Sequence, residues 1–375
     1  MRTLILTCNT GEGHNSTAAA IEDVLAAHGE VCEVEDALSF LSLGMSRAIC
    51  HTHCHLYVCA PKLFTLAYRT TERYRGVFAP GTPLYRLLTH GSERLYRYLV
   101  DGGYDTVVCT HVFGALLVTD LREKHPDFEL RSAFVATDYT CTPSVEQCNV
   151  DTFFIPDDTL TDEFTSNGIP AERLLAVGLP LRPPFLTRRS REDACRACGL
   201  DADKRHVLMM CGSMGCGPMK KLTRLLSEQL PRDTVLTVIC GTNQKLERKL
   251  TRRFADRKNV RVLGYVSNVS ELMDCADLYL TKPGGISVSE ATAKGLPMVL
   301  INAVAGCEQY NLKYCLERGM AKTADTPEQL SALCAELLSD TEALAGMRQQ
   351  IERYAHNDAA KSIFEQLTRA KRQER

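Results

Sequence analysis

Short apolar runs alternate with amphipathic stretches along almost the whole chain. In the first half, RTLILTC (2–8), VCEVEDA, DTVVCTH (105–111), SAFVATD (132–138), DTFFIP and LLAVG read as strands. STAAAIEDVLAAHG and VFGALLVTDLREK, apolar at helical spacing, lie between them. In the second half the strands are HVLMMCG (206–212), TVLTVIC (234–240), VRVLG, DLYLT, MVLI and a short piece near Ala321. Near-continuous apolar strands alternating with helices predict parallel sheets covered on both faces. The break falls between Leu179 and Arg205, where LPLRPPFLTRRSRED holds three prolines and a burst of arginines. The expected division is a first domain over 1–185, a second over 186–345, and a closing segment 346–375. A long charged final helix, roughly 342–372, runs into that segment and is able to pack back on the first domain. Two doubly wound, Rossmann-like α/β domains facing a cleft is the predicted architecture.

Composition narrows this only slightly. The 375 residues are 45% hydrophobic and 24% charged, with a formal charge of −2, so global electrostatics gives no reason to expect a nucleic-acid partner. Seventeen cysteines are scattered, and Cys8, Cys109, Cys211 and Cys240 fall inside apolar strands, where a thiol behaves as a small hydrophobe. The first apolar run, LILTC, is too short for a secretory leader, and reduced cytoplasmic thiols are expected. No window reaches the ~20 apolar residues of a spanning helix.

Four turns sit where a strand ends and a helix begins: NTGEGHNS (9–16), CGSMGCGPM (211–219), CGTNQ (240–244) and KPGGISVSE (282–290). Ligands of open α/β sheets bind at such strand ends, and helix N-termini attract anions. Three of the four lie in the second half, which is therefore read as the phosphate-binding half. None fits the dinucleotide fingerprint or the P-loop. Glu290 falls within two turns of Gly284-Gly285. Its carboxylate suits the paired hydroxyls of a ribose, and the alternative is an acidic residue favouring a helix start.

These residues carry a family resemblance. GSMGCGP, LGYVSNVSELMDCADLYLTKPGGISVSEA, GLPMVLI and AGCEQYNLKYCLERGMA resemble the donor half of GT-B glycosyltransferases. More narrowly, they resemble the family shared by the lipid II N-acetylglucosaminyltransferase and the monogalactosyl- and processive glucosyl-diacylglycerol synthases. TCNTGEGHNSTAAAI, VATDYTCTPSVEQCNVDTFFIP and PDDTLTDEF…GIPAERLLAVGLPLRPPF extend the match to about residues 1–330. The resemblance implies that Pro283, Gly284, Gly285 and Ser287 hold the UDP-sugar, with Glu290 on the ribose. It also implies that Tyr265 and Val266 flank the uracil, and that Gly212, Ser213 and Gly215 face the diphosphate, with Gly241 and Asn243 beside them. Cys307-Glu308 stand where the family often carries Gln-Glu or Gln-Gln against the sugar hydroxyls, which leaves glucose or galactose open. Thr142 and Val145 replace a His and a Trp of some diacylglycerol glucosyltransferases.

No DxD-like pair sits at a strand end; Asp157-Asp158 read as helix caps. Leaving-group charge then falls to backbone N–H groups and helix dipoles, and no cofactor beyond the UDP-sugar substrate is expected. Inversion is what the resemblance implies. His14, on the first glycine loop, is the candidate general base, and Asp138 a second base or an orienter of His14. Each residue also has a plain helix-start or cap reading. Gly11, Gly13, His14 and Tyr139 are the expected acceptor contacts. Cys50, His51, His53, Cys54 and His55 lack a matching ligand pair at zinc spacing, and Cys195-Arg-Ala-Cys198 lies in the linker away from any redox motif.

Over 47–100, Phe64, Leu66, Tyr68, Tyr74, Phe78, Tyr85, Leu88, Tyr96 and Tyr98 are interleaved with Lys62, Arg69, Arg73, Arg75, Arg86, Arg94 and Arg97. Aromatics among basic residues suit a helix lying on an anionic bilayer; the alternative is an amphipathic helix packed on its own domain. The expected activity is transfer of a hexose from UDP to diacylglycerol or a similar lipid, at the inner face of the cell membrane. Other readings keep the fold with a polyprenyl-linked or small-metabolite acceptor, with 2-epimerisation, or with nucleotide-sugar binding alone.

Overall fold

The computed structural model describes residues 1–9, 11–41, 44, 48–49, 52, 60–301, 306–356 and 358–373. The chain divides into two compact units: Met1–Pro183 with Ala305–Cys307 and His356–Arg375, and Pro184–Val304 with Glu308–Ala355.

The first unit carries a six-stranded sheet of β1 (Arg2–Thr7), β2 (Val31–Asp36), β3 (Thr106–Cys109), β4 (Arg131–Val135), β5 (Thr152–Ile155) and β6 (Leu174–Ala176). The order is β2-β1-β3-β4-β5-β6, parallel throughout. Helices α1 (Glu12–Ala27), α2 (Pro61–Arg73), α3 (Pro83–Thr89), α4 (Ser92–Gly102), α5 (Val112–Lys124) and α6 (Thr161–Ser166) connect the strands. Ala18, Ile21 and Leu25 form the buried face of α1 and meet Ile5, Val108, Ala133, Val135 and Phe154 of the sheet. Ile363 and Leu367 of the C-terminal helix Ala359–Gln373 enter the same core. Burying such side chains contributes roughly 1.5–3 kcal/mol each.

The second unit repeats the plan with β7 (Arg205–Met210), β8 (Thr234–Ile239), β9 (Val260–Leu263), β10 (Leu278–Thr281), β11 (Met298–Ile301) and β12 (Ala321–Ala324). Its order is β12-β11-β10-β7-β8-β9, again parallel. The helices are α7 (Arg191–Cys198), α8 (Met219–Gln229), α9 (Gln244–Arg253), α10 (Val269–Cys275), α11 (Gly285–Ala293), α12 (Cys307–Glu317), α13 (Pro327–Ser339) and α14 (Thr341–Arg353). A capping box between Thr326 and Gln329, with Pro327 behind it, starts α13. Lys294 Nζ is buried against Asp274 Oδ2 at 2.9 Å and also donates to the Thr187 carbonyl, which ties the segment entering this unit to α10 and α11.

Both sheets reverse direction once, and that determines where ligands fit. The chain leaves β1 for β2 on one side and returns to β3 on the other. It likewise runs from β7 through β8 and β9 before returning to β10. Crevices at the carboxyl ends of β1 and β3, and of β7 and β10, are the switch points where doubly wound sheets bind ligands.

The single helix expected over 342–372 is instead two. Helix α14 ends at Arg353, and Leu344 and Met347 join the core of the second unit. Asp358 stands outside the next helix, its carbonyl accepting from Ser362 N–H, because a short polar side chain favours a helix start over a helix interior. Strands also close earlier than read: β4 ends at Val135 rather than Asp138, and β7 at Met210 rather than Gly212. Cys8, Cys109, Cys211 and Cys240 are at most 1% exposed, consistent with thiols used as small apolar groups. Burial pushes the Cys211 thiol up to about 12 and that of Cys240 up to about 11, so both are uncharged.

Residues 83–100 follow the packed alternative. Tyr85 and Leu88 are buried, Tyr96 stacks on His125 at 3.6 Å, and the Tyr98 hydroxyl donates to Glu33 at 2.8 Å. Arg94 donates to the Leu41 carbonyl, and Arg75 pairs with Glu146. Helix α2 and the turn after it differ: Leu63, Leu66, Tyr74 and Val77 are 53%, 63%, 57% and 40% exposed, with Arg69 and Arg73 exposed beside them. Phe64 and Lys62 side chains lie outside the described residues, as do residues 50–51 and 53–55 and the metal reading placed on them. No described helix is long and apolar enough to cross a membrane.

Candidate functional site

The switch point of the first sheet assembles around His14. Strand β1 ends at Thr7, and Gly11, in an extended conformation with open space beside its Cα, leads into α1. Gly13 and His14 occupy the first turn of that helix. An amide network holds the loop: Thr7 Oγ1 donates to Asn15 Oδ1 (2.8 Å), Asn15 to Asn9 Oδ1 (3.0 Å), and Asn9 to Asp36 Oδ2 (2.8 Å). His14 Nδ1 lies 2.8 Å from the carbonyl oxygen of Thr110 and 3.1 Å from Thr137 Oγ1. A carbonyl only accepts, so Nδ1 carries the proton and the neutral ring has its lone pair on Nε2. That is the tautomer a general base requires. Burial pushes the His14 pKa down, against the Asp138 charge and the Thr110 carbonyl, which raise it. The net result is a ring that stays neutral below the ordinary histidine range.

Asp138 sits in the loop beyond β4, partly exposed, as the electrostatic neighbour of His14. Tyr139 is only 8% exposed and packs into the unit. Asp157 caps a single turn, its carboxylate accepting from Thr159 N–H at 3.0 Å. Among the described residues no group of three or more His, Cys, Asp or Glu side chains is arranged to hold a metal. Cys195 and Cys198 are buried in α7, against α10.

In the second unit two loops interlock. Gly241 has φ +57°, and a Cβ there would stand 1.9 Å from the Ser213 carbonyl oxygen. Gly215, at φ +54°, similarly admits the Cys240 carbonyl. The Ser213 carbonyl accepts from Thr242 N–H at 2.8 Å. Asn243 uses both ends of its amide structurally, capping α9 through Leu246 N–H (3.0 Å) and donating to the Gly215 carbonyl (3.3 Å). The loops after β7 and β8 are thus one rigid piece, which Gly212, at φ +69°, joins to the β7 end.

The Pro-Gly-Gly turn lies across the switch point. Gly284 precedes α11 with open space at its Cα, Gly285 is the first helical residue, and Ser287 is partly exposed in the first turn. Glu290 is the sixth residue of α11 and 8% exposed. It lies past the first turn, where dipole stabilisation has faded, so the helix-start reading explains it poorly. Helix α12 braces the turn from beneath: buried Asn311 donates to the Pro283 carbonyl at 2.9 Å, and Glu308 Oε1 pairs with Lys282 Nζ at 3.1 Å. Lys282 Cε would lie 3.9 Å from a Cβ on Gly212, so the Lys282 side chain runs beside the glycine loop after β7. Tyr265 is 75% exposed just after β9, with Val266 partly buried beside it, and Cys307 opens α12, partly exposed.

Several residues at these sites escaped the reading of the chain. Thr110, Thr137 and His111 converge on His14, while Lys282 and Asn311 hold the Pro-Gly-Gly turn. Lys282 had a usable signal, a cation one residue before that turn. His111, directly after an apolar strand, had the same kind.

Residues 14–181 match the family described as monogalactosyldiacylglycerol (MGDG) synthase, and residues 218–358 match glycosyl transferases group 1. The processive diacylglycerol beta-glucosyltransferase of Staphylococcus saprophyticus is 31% identical over 265 residues, 70% of this chain and 66%, just under two thirds, of that relative. The enzyme of the same name from Staphylococcus carnosus is 28% identical over 355 residues, 93% of this chain and 88% of the relative. Among solved structures, Acinetobacter baumannii MurG shares the fold with a TM-score of 0.65 at 16% identity, over 98% of this chain and 99% of MurG. Two parallel six-stranded sheets, each with glycine turns at the switch point, and two family matches in this order have one reading: the chain belongs to the GT-B glycosyltransferases of the monogalactosyldiacylglycerol synthase and processive diacylglycerol glucosyltransferase family.

Proposed function

We propose that the protein transfers a hexose, glucose or galactose, from a UDP-sugar to diacylglycerol or a related membrane lipid, with inversion and without a metal ion or other cofactor. The observation that carries the acceptor chemistry is His14, held with Nδ1 against the Thr110 carbonyl so that Nε2 takes the proton of an incoming hydroxyl. On the donor side, the α11 N-terminus and Lys282 supply positive charge where a diphosphate departs. Ser213, Gly215 and the Pro-Gly-Gly turn surround that diphosphate, Tyr265 and Val266 flank the uracil, Glu290 takes the ribose hydroxyls, and Glu308 meets the sugar. The exposed apolar and basic side chains of α2 and its following turn support a peripheral position on an anionic bilayer, at the cytoplasmic face.

The test incubates the protein with several UDP-hexoses and diacylglycerol in anionic liposomes, with and without EDTA, and follows glycolipid and free UDP. Glycolipid formed equally with EDTA is the expected result. No glycolipid with any donor sinks the transferase reading, and loss on chelation sinks its metal-free part. Sedimentation with the same liposomes tests α2; Leu66→Glu is expected to reduce the bound fraction. Glu290→Gln is expected to raise KM for the UDP-sugar about 10-fold, the effect of losing one charged hydrogen bond, with acceptor KM unchanged. An unaltered donor KM would remove Glu290 from the ribose.

A further inference from the structure

Helices α8 and α9 of the second unit border a cavity of about 360 Å³ that the proposed reaction leaves without a task. It is lined by Gly217, Pro218, Lys220, Lys221, Arg224 and Arg253. Lys220 and Arg224 lie four residues apart on one face of α8, with Lys221 beside them. Arg253, the last residue of α9, adds a fourth cation from the other wall. Two of the four are paired: Lys221 Nζ with Glu328 at 2.8 Å, and Arg224 Nη1 with Glu228 at 3.0 Å. Among the described residues no carboxylate pairs with Lys220 or Arg253, and the Arg253 guanidinium lies 5.9 Å from the Phe254 ring. The cavity thus keeps a positive surplus after its own ion pairs are formed.

Its surroundings have the same sign. Residues 244–258 hold seven Lys and Arg against Glu247 and Asp256, in a chain whose formal charge is −2. Lys245, Arg248, Lys249, Arg252, Arg257 and Lys258 are all exposed. Charge of one sign around a cavity raises the local concentration of the opposite ion. An Arg fork and Lys ammonium groups converging on one space suit the several oxygens of a phosphate. A single-stranded nucleic acid would need aromatic rings to stack on, and Phe254, the one aromatic residue of 244–258, is buried. We propose that the α8–α9 cavity binds a phosphate group on a small carrier, either a phospholipid headgroup or a soluble phosphate ester. Lys220 and Arg253 make the direct contacts, and the exposed cations of α9 supply the field. This site goes beyond the transfer reaction and does not depend on it.

The experiment titrates the full chain, by calorimetry, with inorganic phosphate, glycerol 1-phosphate and monomeric dihexanoyl-phosphatidylglycerol, which presents the headgroup without a charged surface. Wild type is compared with Lys220→Gln/Arg253→Gln, inside the cavity, and with Lys245→Gln/Lys249→Gln, on the exposed face of α9. All four side chains are exposed, so both variants are expected to keep the wild-type melting temperature. Wild type is expected to bind at least one probe, and the cavity variant to bind it about 10-fold or more weakly, the scale of a charge-assisted hydrogen bond. The α9 variant is expected to stay within about 3-fold, because salt screens exposed charges that do not touch the ligand. Tighter binding of the lipid than of glycerol 1-phosphate assigns the site to a headgroup, and equal binding assigns it to a soluble ester. No binding of any probe overturns the proposal, as does equal loss in both variants, which would mean diffuse surface charge. A single-stranded oligonucleotide bound more tightly than every probe overturns it in favour of a nucleic-acid surface. A raised KM for the UDP-sugar in the cavity variant overturns it by making the cavity part of the donor site. Failure of glycolipid synthesis bears on the transferase reading alone.

Discussion

His14→Gln is expected to lower kcat by about 10²–10⁴-fold, the range that a positioned general base contributes, while KM for the UDP-sugar changes little. Glutamine keeps an N–H for the Thr110 carbonyl but offers no basic nitrogen, so the loop after β1 stays in place. The pH profile gives an independent check. Burial lowers the folded pKa of His14, so the neutral base persists to lower pH and the acid limb of kcat/KM falls below the ordinary histidine value near 6.5. Asp138 acts in the opposite direction, raising that pKa. Asp138→Asn is therefore expected to move the acid limb further toward acid. A His14→Gln enzyme within about 3-fold of wild type, or a limb moving toward neutrality in Asp138→Asn, would remove His14 from the proton transfer.

The largest expected effect on stability lies at the opposite end of α11 from the Pro-Gly-Gly turn. Asp274 and Lys294 are 3% and 1% exposed in their side chains, and Asp274 also accepts from Arg189 N–H. Asp274→Ala leaves an ammonium buried with only the Thr187 carbonyl, and breaking such a pair costs about 3–5 kcal/mol. Adding Lys294→Met removes the stranded charge, and the double variant is expected to recover most of that loss, because a well-packed apolar pair replaces a buried ion pair at little net cost. Denaturant midpoints of the two variants and wild type decide it. A double variant as unstable as Asp274→Ala would mean that packing, not the unpaired charge, is what the site lacks.

How much of this could be read from the chain depends on the range over which each feature is determined. The strands declare themselves because they are buried on both faces, so TVVC and TVLTVI are apolar or β-branched at nearly every position. Their ends were overrun because Cys211 and Cys240 continue the apolar run, although Gly212 and Gly241 already have positive φ and have left the ladder. The stretch between α14 and the C-terminal helix contains neither glycine nor proline, and the short polar pair Asn357-Asp358 was its one local signal.

The Pro-Gly-Gly turn was legible as a local motif, whereas what holds it was not: Asn311 lies 28 residues from Pro283. His14 shows the same limit more strongly. Its own position on a glycine loop marked it, but its partners Thr110 and Thr137 are 96 and 123 residues away and meet it only because β1, β3 and β4 are consecutive in the sheet. The stretch 47–100 failed differently. Tyr74 and Tyr85 have the same chemistry in sequence, and only the packing of α3 and α4 on their own unit separates an exposed ring from a buried one.

The brace under the donor turn has a consequence for redesign. Glu308, which the proposed function sets against the sugar, is ion-paired to Lys282, which stands next to the Pro-Gly-Gly turn. Under the proposed function, sugar choice and nucleotide grip therefore share one charge balance. Placing a glutamine at 308 to retune the hexose would remove the carboxylate paired with Lys282 and is expected to alter nucleotide affinity at the same time. On that proposal donor preference is a property of the pair, and libraries that vary 307–308 alone would sample it with one half held fixed.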